Sequence, residues 1–390
     1  MSQGDRNGKK SWLVLVAVAY TSCFTIGCIE SFGVLLPYIT EQLAIQTWVI
    51  GFCVASMSAC GYTIGLLTDV LANTFGPRAV AISCGFVMVL DNVMLGSVPL
   101  YFDKYYKIAV SIYCCTSAVG ILAMPLLTQI FYDSCGWRGA LILICGIGLH
   151  SIPLGALLHS GTDHQQTNLD ENNPLIISNC SQLGGLNPDE KKKQEFWKIL
   201  VLRHNIPLFT RVLVPGLVYG YVLHGWMIYI VTFAIANGAS GQEASIVASC
   251  GGIGVLIIRI LRPFVDHILT YKQIMISSSV LGAASLVLTT IFTRIVEMSL
   301  ASIFFGIAIG ALGTEIYILT KYVADEDQYY NVLSLFHLSV GYSSVISGIF
   351  TGLIYQLTSS SVVSFLVLAA VTLLTPLSLG LEELLTTKST

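Results

Sequence analysis

The feature that most constrains this chain is a series of long apolar stretches. Eleven runs stand at 11–37, 47–70, 79–102, 107–131, 140–158, 207–236, 244–268, 273–293, 297–322, 331–356 and 361–381. A helix rises 1.5 Å per residue, so about 20 mainly apolar residues cross the hydrocarbon layer. In lipid every backbone polar group needs an internal partner, and a helix supplies one within each segment. Composition agrees: 54% of residues are hydrophobic, only 11% are charged, and mean hydropathy is +0.76. A soluble fold carries about 25% charge to cover its surface. The chain therefore reads as an all-α polytopic membrane protein, with the lipid bilayer as its first partner.

The polar start, MSQGDRNGKK, precedes an apolar run too long for a signal-peptide core, so that run reads as a retained first helix. The 11 cysteines, an odd number, fall mostly inside apolar runs and lack zinc spacing. They read as packing residues, with no disulfide framework and no metal site. A net charge of −3 gives no footing for a nucleic-acid partner. HExxH, GxSxG and P-loop patterns are absent, so no enzyme and no cofactor are expected.

Residues 159–206 break the pattern with DHQQTNLDENN, NPDEKKKQ and LRHN. They divide the chain into 1–158 with five spans, a central cytoplasmic loop at 159–206, and 207–390 with six spans. Lys and Arg collect on the cytoplasmic side of membrane proteins. If Arg6, Lys9, Lys10, Arg78, Lys104, Lys107, the Lys191–Arg203 group, Lys272, Lys321 and Lys388 all face inward, 14 of the 19 basic residues are inside. Only Arg138 and Arg294 then remain in outer connectors. That pattern demands an even number of crossings between Arg78 and Lys104. The run from Ala79 to Phe102 has 24 residues, about 36 Å as a helix, where two crossings need roughly 40 residues. One helix is expected to be missing. Asp91, inside that run, would then be stranded near the bilayer centre.

Several stretches resemble the monocarboxylate transporter family of the major facilitator superfamily. ESFGVLLPYI (30–39) is similar to the end of that family's first helix, and FGPRAV (75–80) to the loop after its second. YFDKYYKIAVSIYCCTSAVG (101–120) resembles a degraded form of the signature opening its fifth helix. GWRGALILICG (136–146) resembles the opening of its sixth. RPFVD (262–266) and FFGIAIGAL (304–312) resemble parts of its eighth and tenth. The resemblance runs from about residue 11 to 381. It implies two helical bundles, with about 11 transmembrane helices instead of 12. It also implies secondary active or facilitative transport of a monocarboxylate or related small organic solute by alternating access. The implied partners are a small organic anion or zwitterion, protons as coupling ion, and a single-pass ancillary protein; the implied location is the plasma membrane. The rival expectation is a non-transporting truncated isoform, misassembled, retained in the endoplasmic reticulum or associated with a full-length carrier. If the missing crossing inverts the rest, Asn179 in Asn179-Cys180-Ser181 becomes lumenal and open to glycosylation.

Ionisable groups inside spans cost about 2.5–3.5 kcal/mol each on insertion scales, so each needs a reason. Arg259 and Arg262 lie three apart in VLIIRILRPF, on neighbouring helix positions. Arg262 matches the family's arginine that pairs with the substrate carboxylate, a partner suited to the guanidinium fork. The alternative is that Arg262 snorkels to the interface or holds an internal acid. Arg259 reads first as structural and second as an ion-pair or coupling residue. The acid that the family carries four residues before its arginine is replaced here by Ile258. Glu30 stands where well-known family carriers of small anions have a lysine. It points either to a zwitterionic, cationic or larger amphipathic substrate or to a hydrated outer vestibule. Glu315 is read as a substrate-linked titrating group or as the partner of Arg262 or Arg259. VYGYVLHGWMIY (218–229) gathers Tyr219, His224 and Trp226, an aromatic, partly polar lining for a cavity or ordinary packing with an interfacial belt. Ser339, Ser343, Ser347, Gly348, Gly352, Gly306 and Gly310 recur near four-residue spacing and predict close helix approach.

Overall fold

A computed structural model describes residues 9–75, 106–155, 206–323, 329–358 and 360–387. Every regular element among them is helical: α1 Lys9–Leu43, α2 Thr47–Phe75, α3 Tyr106–Leu149 and α4 Ser151–Gly155. The second half holds α5 Ile206–Ala236, then α6 Gly241–Ile268, α7 Tyr271–Ile291, α8 Ile295–Val323, α9 Tyr329–Thr358, α10 Ser361–Thr372 and α11 Leu374–Thr387. Eight of the described helical stretches are long and apolar enough to cross a membrane. Ten of the eleven apolar runs fall on these helices. The run 79–102, with Asp91, and the loop carrying Asn179 lie outside the described residues.

α3 is a hairpin. Gly136 sits at φ 67°, ψ 177° inside it, a backbone state that side chains disfavour. Tyr113, Gly120, Met124 and Thr128 meet Ser22, Cys23, Gly27 and Ser31 in the same order along α1. Beyond the glycine the order reverses: Trp137 donates to Gln42, while Tyr20 donates to the Ile147 carbonyl. The first arm runs parallel to α1 and the second antiparallel to it. α5 stops where Gly238 takes φ 91°. α6 and α7 start on capping boxes, Ser240 with Glu243 and Thr270 with Gln273, each satisfying orphan amides of the first turn.

Small residues set the helix registers. Gly216, Gly220 and Gly225 of α5 abut Ser339, Ser343 and Ser347 of α9, so these helices run parallel. Gly306 of α8 sits against Gly251 of α6, and Gly310 against Val255. α2 runs against α9, with Trp48 at Gly352, Gly51 at Gly348 and Ala59 at Gly341. α3 runs against α6 along its length: Gln242 donates to Asp133 at 3.2 Å, Ser245 to Gln129 at 3.3 Å, and Gly252 abuts Leu122. The missing side chains let backbones approach and add dispersion contact where no hydrophobic drive exists between helices in lipid.

These directions fix parity. α5 and α6 are antiparallel across a short turn, α6 opposes α3, and α9 opposes α2. Phe75 and Tyr106 therefore emerge on the same face. The reversal at Gly136 brings Gly155 to that face, and Ile206 starts there too. The inverted arrangement expected for a lost single crossing is not the one folded.

Candidate substrate and coupling site

Arg262 and Arg259 leave α6 in different directions. Arg262 is 8% exposed and reaches α8, where its Nη2 pairs with Glu315, itself 3% exposed. Its Nη1 donates to the Ala311 carbonyl at 3.3 Å. Its Nε lies 2.6 Å from Asp266 Oδ1, one turn on along α6. The register of α6 on α8 produces this: Gly251 on Gly306 carries down to Ala311 and Glu315 opposite Ile258 and Arg262. Burial strengthens the attraction between the partners but makes an unpaired charge expensive. Arg262 is thus held on internal acids and does not snorkel to an interface. The Arg262–Glu315 pair is one of the two pairings open to Glu315.

Arg259 has no acidic partner among the described residues. Its Nη1 donates to the Cys114 carbonyl and to Ser117 Oγ on α3. It thus ties the second half of the chain to the first. Tyr219 of α5 stands within electrostatic reach of Arg259 and lies against Gly313 of α8. Tyr219, Arg259, Arg262 and Glu315 accordingly form one neighbourhood.

The remaining members of the aromatic helix sit elsewhere. Trp226 is 2% exposed and stacks on Phe305 with ring centroids 4.8 Å apart, its ring against Gly251. His224 is 1% exposed; its Nδ1 lies 3.0 Å from the Gly220 carbonyl, and Tyr62 meets its ring edge-on. Both are buried against neighbouring helices, the arrangement of the packing alternative. Glu30 is 0% exposed, and neither carboxylate oxygen has a hydrogen-bond partner among the described residues. That removes its hydrated-vestibule reading.

Sequence reasoning missed three partners. Asp266 was legible, because Arg262 and Asp266 have the i, i+4 spacing of a helical pair. Ser117 and Cys114 were not, since they face Arg259 only through the α3–α6 register. His337 of α9 shares a 2.8 Å hydrogen bond with Tyr317 and stacks on Tyr62. A small open crevice of about 10 Å³ lies apart from all these residues, between α5, α9 and α10, lined by Tyr229, Thr232, Phe233, Thr351, Tyr355 and Phe365 among others.

Residues 89–328 match the family model of the Major Facilitator Superfamily. The chain belongs to that superfamily. Mouse Monocarboxylate transporter 6 is 22% identical over 399 residues, covering 92% of this chain and 83% of the relative. Rat Monocarboxylate transporter 13 is 23% identical over 185 residues, 39% of this chain and 42% of the relative. Solved structures share the fold. A point mutant of the nucleoside transporter NupG superposes with TM-score 0.68 at 14% identity, over 96% of this chain and 100% of its own. A D-xylose-proton symporter gives 0.68 at 14% identity, over 94% and 95%. This superfamily member is a multi-pass membrane transporter of small solutes, and monocarboxylate transporters are among its relatives.

Proposed function

We propose that this protein is a secondary transporter of a monocarboxylate or a related small organic solute, working by alternating access at the plasma membrane. The moving bodies are the helices of 1–158 and those of 207–390, with 159–206 as the cytoplasmic connector. The observation that carries the reading is the buried Arg262, held by two acids beside the α3–α6 interface. A guanidinium fork engaged by carboxylates is primed for exchange: a substrate carboxylate can take the place of Glu315 at similar geometric cost. Arg259 then acts as the interbundle tie that opens and closes with the cycle, and Tyr219 lines the path beside it. The test is uptake of radiolabelled lactate into proteoliposomes. Arg262→Ala should abolish it, and Arg262→Lys should leave less than about a tenth, since a point charge loses the bidentate geometry. Uptake untouched by both changes removes the anchor.

One observation favours a second reading, a non-transporting chain. Phe75 and Tyr106 lie on one face, and the 24-residue run between them is too short to cross twice. Wild-type protein that reaches the plasma membrane folded but moves neither lactate nor longer monocarboxylates would decide for this reading. In both, Asn179 is flanked by helices ending on the cytoplasmic face and stays unglycosylated.

A further inference from the structure

We infer that Glu30 is a proton-binding site, loaded whenever the helices close around it. This deepens the transporter reading by assigning its coupling ion to α1. The carboxyl is wholly buried and both oxygens lack a partner among the described residues. One turn before it, Gly27 receives the Met124 side chain; one turn after it, Gly33 receives the Met227 backbone. The packing is therefore closed on both sides of the carboxyl. An isolated ionised carboxylate in such surroundings costs far more than any packing term returns, and such a group takes up a proton instead.

Among the described residues no Lys or Arg bonds the Glu30 carboxylate. Ser31 bonds to Thr128, and Arg259 bonds to Ser117. Along α3 these levels differ by about ten residues, ~15 Å. Arg262 is already taken by Glu315 and Asp266. The spacing also argues against a small zwitterion bridging Glu30 and Arg259, because an α-amino acid is far shorter. Groups on the surrounding elements do not change this. On α3, Met124 to Thr128 contain nothing that titrates, and neither do Ser245 to Ser249 at the same level of α6 or any residue of α4. On α5, His224 stands level with Glu30 through the Gly33–Met227 contact; its Nδ1 is engaged with Gly220, its Nε2 bonds to no described residue, and it does not reach the carboxylate. On α2 the titratable side chains within the described set are the exposed Cys53 and Cys60 and the stacked Tyr62. Asp133 and Glu243 lie at the outer ends, bonded to Gln129 and Ser240. With Ile258 in place of the family's α6 acid, and with Glu315 and Glu382 paired to arginines, Glu30 is the buried acid without a partner among the described residues.

The test is infrared difference spectroscopy of the full chain in lipid nanodiscs. Wild type should show a protonated-carboxyl C=O band that shifts in D2O and persists from mildly acidic to mildly alkaline buffer. Glu30→Gln, an isostere of the neutral form, should lose that band while keeping its melting temperature. Glu30→Asp should move the band, which keeps the test alive if the amide variant folds poorly. A band unchanged in both variants overturns the assignment. Loss of the wild-type band on adding ethanolammonium chloride also overturns it, in favour of a cationic cargo group. Failure of lactate uptake would leave these spectra readable, so the two readings fail separately.

Discussion

At the scale of single residues, the charges of this protein sort by whether they have a partner inside the fold. Arg262 has two acids, Arg259 has a carbonyl and a hydroxyl, and Glu30 has none among the described residues. Glu315→Gln should strand half of the Arg262 charge. Breaking a buried pair costs about 3–5 kcal/mol, and the lower end applies because Asp266 remains. A melting temperature lowered by several degrees in detergent checks this; an unchanged value would mean that Asp266 alone suffices. The residue types were legible in the sequence, because an ionisable group in an apolar run announces itself. Their pairing was only half legible. The i, i+4 link to Asp266 is written locally, but Glu315 meets Arg262 only after α6 and α8 find their register, which no linear spacing records.

At the scale of elements, the small residues decide how close helices come. A methyl on Gly306 would collide with the Gly251 carbonyl. Gly306→Ala should therefore cost about 1–3 kcal/mol, as overpacking does. Gly146, on the second arm of α3, has nothing within 4 Å of an added Cβ. Gly146→Ala should stabilise by up to about 1 kcal/mol through helix propensity. Parallel thermal melts of the two variants test the contrast, and equal effects would refute the seam. The elements themselves were readable from apolar run length, since lipid allows a spanning chain little but helix. The helices outrun those runs, as α2 reaches Phe75 and α1 starts at Lys9. Hydrogen bonding continues past the hydrocarbon edge, where composition no longer signals it. The gap between 131 and 140 marked the hairpin, whose tip Gly136 makes by its backbone state.

At the scale of the whole molecule, parity gives a labelling pattern. Cys135 is exposed at the tip of the α3 hairpin, on the face opposite Phe75 and Tyr106. With the basic ends inside, a membrane-impermeant maleimide should modify Cys135 on intact cells, and Cys135→Ser should lose that label. Labelling only after permeabilisation would reverse the orientation. The seam of α5 on α9 sets how the molecule can move. Ser339 and Ser343 spend their hydroxyls on their own helix, on Phe336 and Val340. Ser347 instead donates across to the Tyr221 carbonyl at 2.6 Å, and Tyr229 donates back to Gly348 at 2.6 Å. One end of the pair is thus riveted and the other merely greased. A seam fastened this way is held at the end where α5 stops and left free to slide at the end where it begins.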